Sequence, residues 1–253
     1  MRDLTIRHVC FGSGRPKICV PIAAETRDEL KAFAGRAASA AADLFEWRCD
    51  WLTGFSAEDL EEILRELRQI IGDRPLIFTF RTGAEGGRQD IGEAAYLPLL
   101  KAAAKSRQAD LIDIEYRRGD ALFREAAACA HEAGAFVIAS YHDFSATPAP
   151  EEMLSIFGEM HALGADFLKL AVMPQGPEDV LRLMAATRKA ADLYDQPVIS
   201  MSMGGMGVFS RVSGELTGSA ITFASAGRGS APGQMDAADV KAILISLHDA
   251  SFL

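Results

Sequence analysis

Asp166–Met173, "DFLKLAVM", is the stretch on which the reading of this chain turns. Phe167, Leu168, Leu170, Ala171, Val172 and Met173 are apolar, which predicts a buried β-strand. Lys169 stands in the middle of it. Lysine is almost never fully buried unless it is paired. Alternate strand residues face opposite sides, so Lys169 faces away from Leu168, Leu170 and Val172. The strand therefore needs an apolar layer on one side and a polar space on the other.

Working outward, the same kind of run recurs along the chain. Strands are predicted at "KICVPIA" (17–23), "LFEWRCD" (44–50), "PLIFTFR" (75–81), "LIDIEY" (111–116), "FVIASYH" (136–142), "FLKLAVM" (167–173), "PVISMSM" (197–203) and "ITFASA" (221–226). Helical patterns separate most of them, at 27–42, 57–71, 92–107, 121–133, 151–163, 177–194 and 236–250. Thr26 and Glu29 form a capping box, Ser56 caps the second helix, and Gly72, Gly134 and Gly164 serve as stop signals. Between the last two strands only a brief helix fits. Eight strands alternating with helices predict an α/β protein with a (β/α)8 TIM barrel, read as one catalytic domain over 1–253. Residues 4–15 carry a Gly-Ser-Gly turn between β-prone runs and predict an extra N-terminal β-hairpin closing the barrel's bottom. An open doubly wound sheet is the alternative, because strand count alone does not prove closure.

The chain has 253 residues, 49% of them hydrophobic, and a net charge of −9. That acidic balance argues against general attraction to nucleic acid or anionic membrane. No apolar run reaches the roughly 18 residues of a membrane span. The N-terminus has no signal-peptide layout, and Cys10, Cys19, Cys49 and Cys129 form no CxxC pair. A cytoplasmic protein with reduced thiols is the expectation.

Strand parity sorts the charges. Glu46 and Arg48 share a face opposite Phe45, Trp47 and Cys49. Asp113 and Glu115 share one opposite Ile112, Ile114 and Tyr116. Arg81 ends the third strand with Phe78 and Phe80 on the other face, and His142 ends the fifth. With Lys169, seven ionisable groups from five strands converge on one lumen, mostly near the end where barrel enzymes carry their sites. A core of mutually paired charges is the competing reading, and buried ion pairs are poor sources of stability. A metal held by Asp113, Glu115 and His142 is opposed by Lys169 and two arginines. The glycine-rich loops "GAEGG" (83–87) and "MGGMGVFSR" (203–211) match no Walker or GxGxxG pattern.

Burial disfavours a charged lysine, and nearby arginines push the same way, whereas nearby carboxylates oppose it. A neutral amine attacks ketones and aldehydes to give a Schiff base. The protonated imine acidifies the adjacent C–H bond, and a neighbouring base then takes the proton. Lys169 suits the nucleophile and His142 the base.

At this point the chain resembles the type I 3-dehydroquinate dehydratase family. The likeness rests on "FEWRCDWL", "FTFRTGAEGG", "IDIEY", "IASYHDFSATP", "DFLKLAVMP", "ISMSMGG" with "GVFSR", and "GELTGSAITFASAGRGSAPGQ", in order over nearly the whole chain. The resemblance implies a (β/α)8 barrel, often a homodimer, that dehydrates the small-molecule substrate 3-dehydroquinate to 3-dehydroshikimate with no metal or organic cofactor. It implies that Lys169 forms the Schiff base, that His142 is general base and acid, and that Glu85 orients the histidine. Arg211 would pair with the substrate carboxylate. Ser230 and Gln234 would close over the ligand, and Glu46, Arg48 and Arg81 would meet its ring hydroxyls. Two places depart from the family pattern: Pro21, and the "GGMG" of 204–207 where a lysine-containing stretch is expected. A class I aldolase-type lyase and a non-catalytic barrel binding a small acid are the competing functions.

Overall fold

The computed structural model describes residues 3–56, 59–227 and 232–251. A hairpin comes first, β1 (Leu4–Ile6) antiparallel to β2 (Val9–Phe11). Eight strands then form one parallel sheet: β3 (Lys17–Ile22), β4 (Leu44–Arg48), β5 (Leu76–Thr79), β6 (Leu111–Glu115), β7 (Phe136–Asp143), β8 (Phe167–Val172), β9 (Val198–Ser202) and β10 (Ile221–Phe223). From β3 to β9 each strand pairs with the next in sequence, and β10 pairs back onto β3. A doubly wound sheet would reverse its strand order partway; this one does not. The last seam is thin. The Ala220 amide donates to the Val198 carbonyl at 2.7 Å, and the Ser200 amide donates to Ser219 Oγ at 3.0 Å. That contact brings β9 to β10 and makes the sheet a (β/α)8 barrel with an extra hairpin.

The helices α1 (Arg27–Ala38), α2 (Asp59–Ile71), α3 (Glu93–Lys105), α4 (Asp120–Ala133), α5 (Pro150–Ala162), α6 (Pro177–Leu193) and α8 (Ala237–Ser251) fall where the periodicity puts them. The short α7 (Gly214–Thr217) follows a 3₁₀ segment, Met206–Arg211, between β9 and β10. Thr26 Oγ1 accepts the Glu29 amide at 3.3 Å and starts α1. Gly134 ends α4 at φ +86°, a left-handed turn that suits glycine. Alanine-rich sequence predicts that α1 runs on to residue 42, but it stops at 38. Pairing overrides propensity there: Asp43 donates its amide to Ile18 O and accepts the Ile18 amide on Oδ2, both at 2.8 Å.

The strands bury both faces. Phe45, Trp47, Phe78, Ile112, Leu168 and Leu170 face the helices. Leu44, Ile77, Leu111, Ile138, Phe167 and Ile199 fill the lower lumen instead. The hairpin presses Ile6, Val9 and Phe11 into that layer from below, and Phe11 meets Phe167 edge to face at 5.4 Å. The floor is therefore dry, and the polar residues occupy the upper lumen alone. The four cysteines are free thiols, and burial pushes those of Cys19 and Cys49 well up. Among the described residues no helix is long and apolar enough to cross a membrane.

Phe11→Ala should destabilise the fold by about 3–5 kcal/mol, as large-to-small changes at fully buried aromatics do. The hairpin lies at the opposite end from the polar lumen, so turnover per folded molecule should stay near wild type. Urea denaturation alongside an activity titration checks both; an unchanged midpoint would show that the hairpin is not part of the core.

Candidate active site

Parity places Thr79, Asp113, Ser140 and Lys169 together in the upper lumen, with Thr79 beside Asp113 and Ser140 beside Lys169 in the strand register. Lys169 is 3% exposed. Its Nζ donates to Asp113 Oδ2 at 2.9 Å, lies 3.6 Å from Glu46 Oε1, and sits 4.7 Å from the centre of the Phe223 ring. Thr79 Oγ1 donates to Glu46 Oε1 at 2.9 Å. The amine is dry, as the sequence predicts, and it is paired with two carboxylates. Arg81 occupies the other side of Asp113. Its Nη2 donates to Asp113 Oδ1 at 2.7 Å, and its Nη1 donates to Ser140 Oγ at 3.0 Å and Glu115 Oε1 at 3.1 Å. Burial pushes the Asp113 carboxyl up, but Arg81, Lys169 and the Ser140 hydroxyl outweigh it and hold the group at about 2.

Above this layer, Glu85 and His142 form a second unit. The strand β5 runs into a 3₁₀ turn at Gly83–Glu85. Glu115 fixes that turn by accepting the Thr82 amide and hydroxyl, both at 2.8 Å. Glu85 Oε2 lies 2.9 Å from His142 Nδ1 and accepts the His142 amide at 3.0 Å. Burial, then the charges of Arg81, Lys169 and Arg48, push the imidazole well below its ordinary 6.5. Burial also lifts the Glu85 carboxyl to about 8, with Glu115 and Asp113 adding to the rise against Arg81. The imidazole is thus neutral at pH 7. With Nδ1 engaged by Glu85, Nε2 is the atom left for a ligand.

The remaining predicted residues line the same cavity, which encloses about 670 Å³ including its open mouth. Glu46, Arg48, Arg81, Glu85, His142 and Lys169 all reach it, and Arg211 and Gln234 close its far side. Arg48 is gripped by Asp50 through two bonds of 2.8 Å. Arg211 is 2% exposed and, among the described residues, has no carboxylate partner; its Nη1 and Nη2 donate to the carbonyls of Phe223 (3.3 Å) and Pro232 (3.1 Å). Burial pulls its guanidinium down to about 10, still charged at neutrality. Ser230 lies outside the described residues. Pro21 sits beside Glu46 in the register and brings no polar side-chain atom. In the "GGMG" stretch, a Cβ on Gly207 would fall 2.0 Å from the Ser202 carbonyl oxygen. A Cβ on Gly233 would fall 2.2 Å from the Gly204 carbonyl oxygen. The two loops over the cavity meet backbone to backbone.

Comparison with known proteins fits this arrangement. Residues 18–251 match the family model described as type I 3-dehydroquinase. The chain belongs to that family. A 3-dehydroquinate dehydratase of Syntrophotalea carbinolica is 44% identical over 252 residues, 98% of this chain and 99% of that one. The type I 3-dehydroquinate dehydratase of Clostridium difficile, solved with covalently modified comenic acid, is 42% identical and superposes with a TM-score of 0.94 over 98% of each chain. The 3-dehydroquinate dehydratase structure from Geobacillus kaustophilus gives 0.95 at 35% identity, covering 99% of this chain and 98% of that one. Membership of the type I 3-dehydroquinase family makes this chain a hydro-lyase with 3-dehydroquinate dehydratase activity, an enzyme of the shikimate pathway.

Several residues of this dehydratase site escape a reading of charges alone. Thr79 and Ser140 share the inward parity of their strands, yet neutral hydroxyls give no signal of a site. Asp50 continues the alternation of Glu46 and Arg48 into the 3₁₀ turn Cys49–Trp51, where strand parity no longer applies. Met201, Met203, Phe144 and Phe223 supply the cavity's apolar walls. In "GAEGG" a Cβ on Gly87 would lie 1.8 Å from the Arg81 carbonyl oxygen, so glycine is there for close packing.

Glu85 and His142 should bend stability with pH in opposite senses. The folded Glu85 keeps its proton to about 8, whereas an ordinary glutamate loses it near 4.5. Its contribution is full below pH 4.5 and is lost as pH rises through 8. The unfolded histidine binds a proton near 6.5 and the folded one does not, so its contribution is lost as pH falls below 6.5. Glu85→Gln should flatten the decline of denaturation midpoint between about pH 6.5 and 8. A decline as steep as wild type would contradict the raised Glu85 value.

Proposed function

We propose that the chain performs its dehydration through a Schiff base on Lys169, with His142 as general base and acid, and with 1–253 as one catalytic domain. The observation that carries this reading is the convergence of three groups on one cavity: a dry lysine amine, a neutral imidazole on the adjacent strand, and a buried arginine lacking an acid of its own among the described residues. An unpaired buried guanidinium is costly until an anion arrives. A substrate carboxylate suits it, since a guanidinium binds carboxylates bidentately.

In the proposed sequence the ammonium of Lys169 first gives up a proton, for which neutral His142 is the available base. Asp113, held at about 2, is a poor one. The amine adds to the C3 carbonyl carbon of 3-dehydroquinate. His142 returns the proton as the carbinolamine oxygen departs as water, leaving the iminium. Nε2 of His142 then takes a proton from C2, and the electron pair moves into the iminium to give an enamine. The enamine pushes out the C1 hydroxyl, which leaves as water with the proton from His142. Hydrolysis of the conjugated iminium frees 3-dehydroshikimate and restores Lys169. General acid–base help of this kind typically contributes about 10²–10⁴-fold. Glu85 Oε2, which accepts the His142 amide, also faces Nδ1 and so fixes the ring with Nε2 turned to the ligand.

Glu46, Arg48, Arg81 and Gln234 line the cavity and serve the ring hydroxyls in this proposal. Arg81 is so fully engaged by protein acceptors that it acts chiefly as framework. Ser230 and the homodimer keep their place on the family resemblance alone, and the cytoplasmic setting rests on the cysteine pattern and the N-terminal sequence. Covalently modified comenic acid in the Clostridium difficile relative supports a site that bonds to its ligand.

Borohydride reduction with 3-dehydroquinate, followed by peptide mass analysis, tests the covalent step. The adduct should fall on Lys169, and Lys169→Ala should lose both adduct and nearly all turnover. His142→Ala should still trap some ligand while turning over about 10²-fold or more slowly. An adduct elsewhere in an active enzyme, or wild-type turnover without His142, would end the proposal.

A further inference from the structure

Asp50 lies outside the cavity wall and is 0% exposed, yet it is among the most heavily bonded carboxylates near the site. Arg48 Nε donates to its Oδ1 and Arg48 Nη2 to its Oδ2, each at 2.8 Å. The Arg81 amide adds a bond to Oδ1 at 3.3 Å and the Arg88 amide one to Oδ2 at 3.1 Å. Its own backbone carbonyl accepts Gln89 Nε2 at 2.8 Å. Two backbone amides from the segment after β5 thus fix the carboxylate, and the carboxylate fixes the guanidinium.

We infer that Asp50 is a positioning residue for the dehydration, acting through Arg48. A guanidinium is a rigid fork of five N–H groups. Once Asp50 takes Nε and one edge of Nη2, both the plane and the rotation of Arg48 are set. The N–H groups left over, on Nη1 and the outer side of Nη2, are those available to a ligand hydroxyl in the cavity. Stability alone is a poor reason for such a pair, since well-packed apolar residues stabilise a buried turn as well or better. Neutralising the carboxylate frees Arg48 to rotate, so its remaining N–H groups no longer meet the bound ring and binding weakens in ground state and transition state alike.

The inference rests on the substrate-facing role proposed for Arg48, and a double-mutant cycle separates the two. Arg48→Ala should raise KM for 3-dehydroquinate about 10-fold or more; an unchanged KM overturns the Arg48 reading itself, and the inference with it. Asp50→Asn should raise KM about 10-fold with kcat within about threefold, the pattern of lost uniform binding. Added to Arg48→Ala, it should change KM less than about twofold, because there is no guanidinium left to position. A KM rise with Arg48→Ala but none with folded Asp50→Asn, or an additive rise in the double variant, overturns the positioning role while leaving Arg48's own role intact. If Asp50→Asn alone does not fold, the Arg48→Ala enzyme and the double variant, in which both buried charges are removed together, supply the decisive pair: equal KM values sustain the inference and a further rise defeats it.

Discussion

The upper lumen depends on one buried guanidinium. Arg81 is 3% exposed and touches Asp113, Glu115 and Ser140, with Glu85 at 3.5 Å. Burial works against its charge, but the carboxylates around it outweigh that penalty and raise the group above its ordinary value. Remove it and Asp113, Glu115 and Glu85 would face one another without a cation between them, apart from Lys169. Breaking a buried pair by deleting one partner typically destabilises by about 3–5 kcal/mol, because the other charge is stranded. Arg81 also organises the chemistry at a distance. Through Glu115 it steadies the turn that carries Glu85, and through Asp113 it shares the carboxylate that anchors Lys169.

This arrangement pushes titratable groups apart, which lets one small cavity hold acid and base at neutral pH. Asp113 is driven down by two cations. Glu85 is driven up by burial first, with Glu115 and Asp113 adding to the rise. His142, pushed down by burial and then by the charges of Arg81, Lys169 and Arg48, is held neutral. The apolar floor below them, sealed by Phe11 against Phe167, keeps water from entering underneath and weakening these fields.

Much of this was legible from period-two alternation. Glu46, Arg48, Asp113, Glu115 and Lys169 point into the lumen because their strand neighbours are apolar and belong against helices. The barrel followed from the count and spacing of runs. What alternation cannot supply is distance across the barrel. That Lys169 meets Asp113 rather than standing alone depends on the stagger of β6 against β8. Asp50 was hidden because a 3₁₀ turn breaks the strand's parity. The true end of α1 was hidden because Asp43 is recruited by β3, a partner far away in sequence. Gly87 and Gly207 look like loop flexibility in the sequence, and are in fact places where two backbones touch.

The thin seam between β9 and β10 divides the barrel mechanically. β7 and β8 are matched along six residue pairs, whereas among the described residues β9 and β10 are joined at the Val198–Ser219 bridge and its adjoining bonds. Local opening begins where the fewest bonds must break. Like a cask with one loose stave, the sheet has few bonds to break beside Phe223 and many between the strands that carry His142 and Lys169.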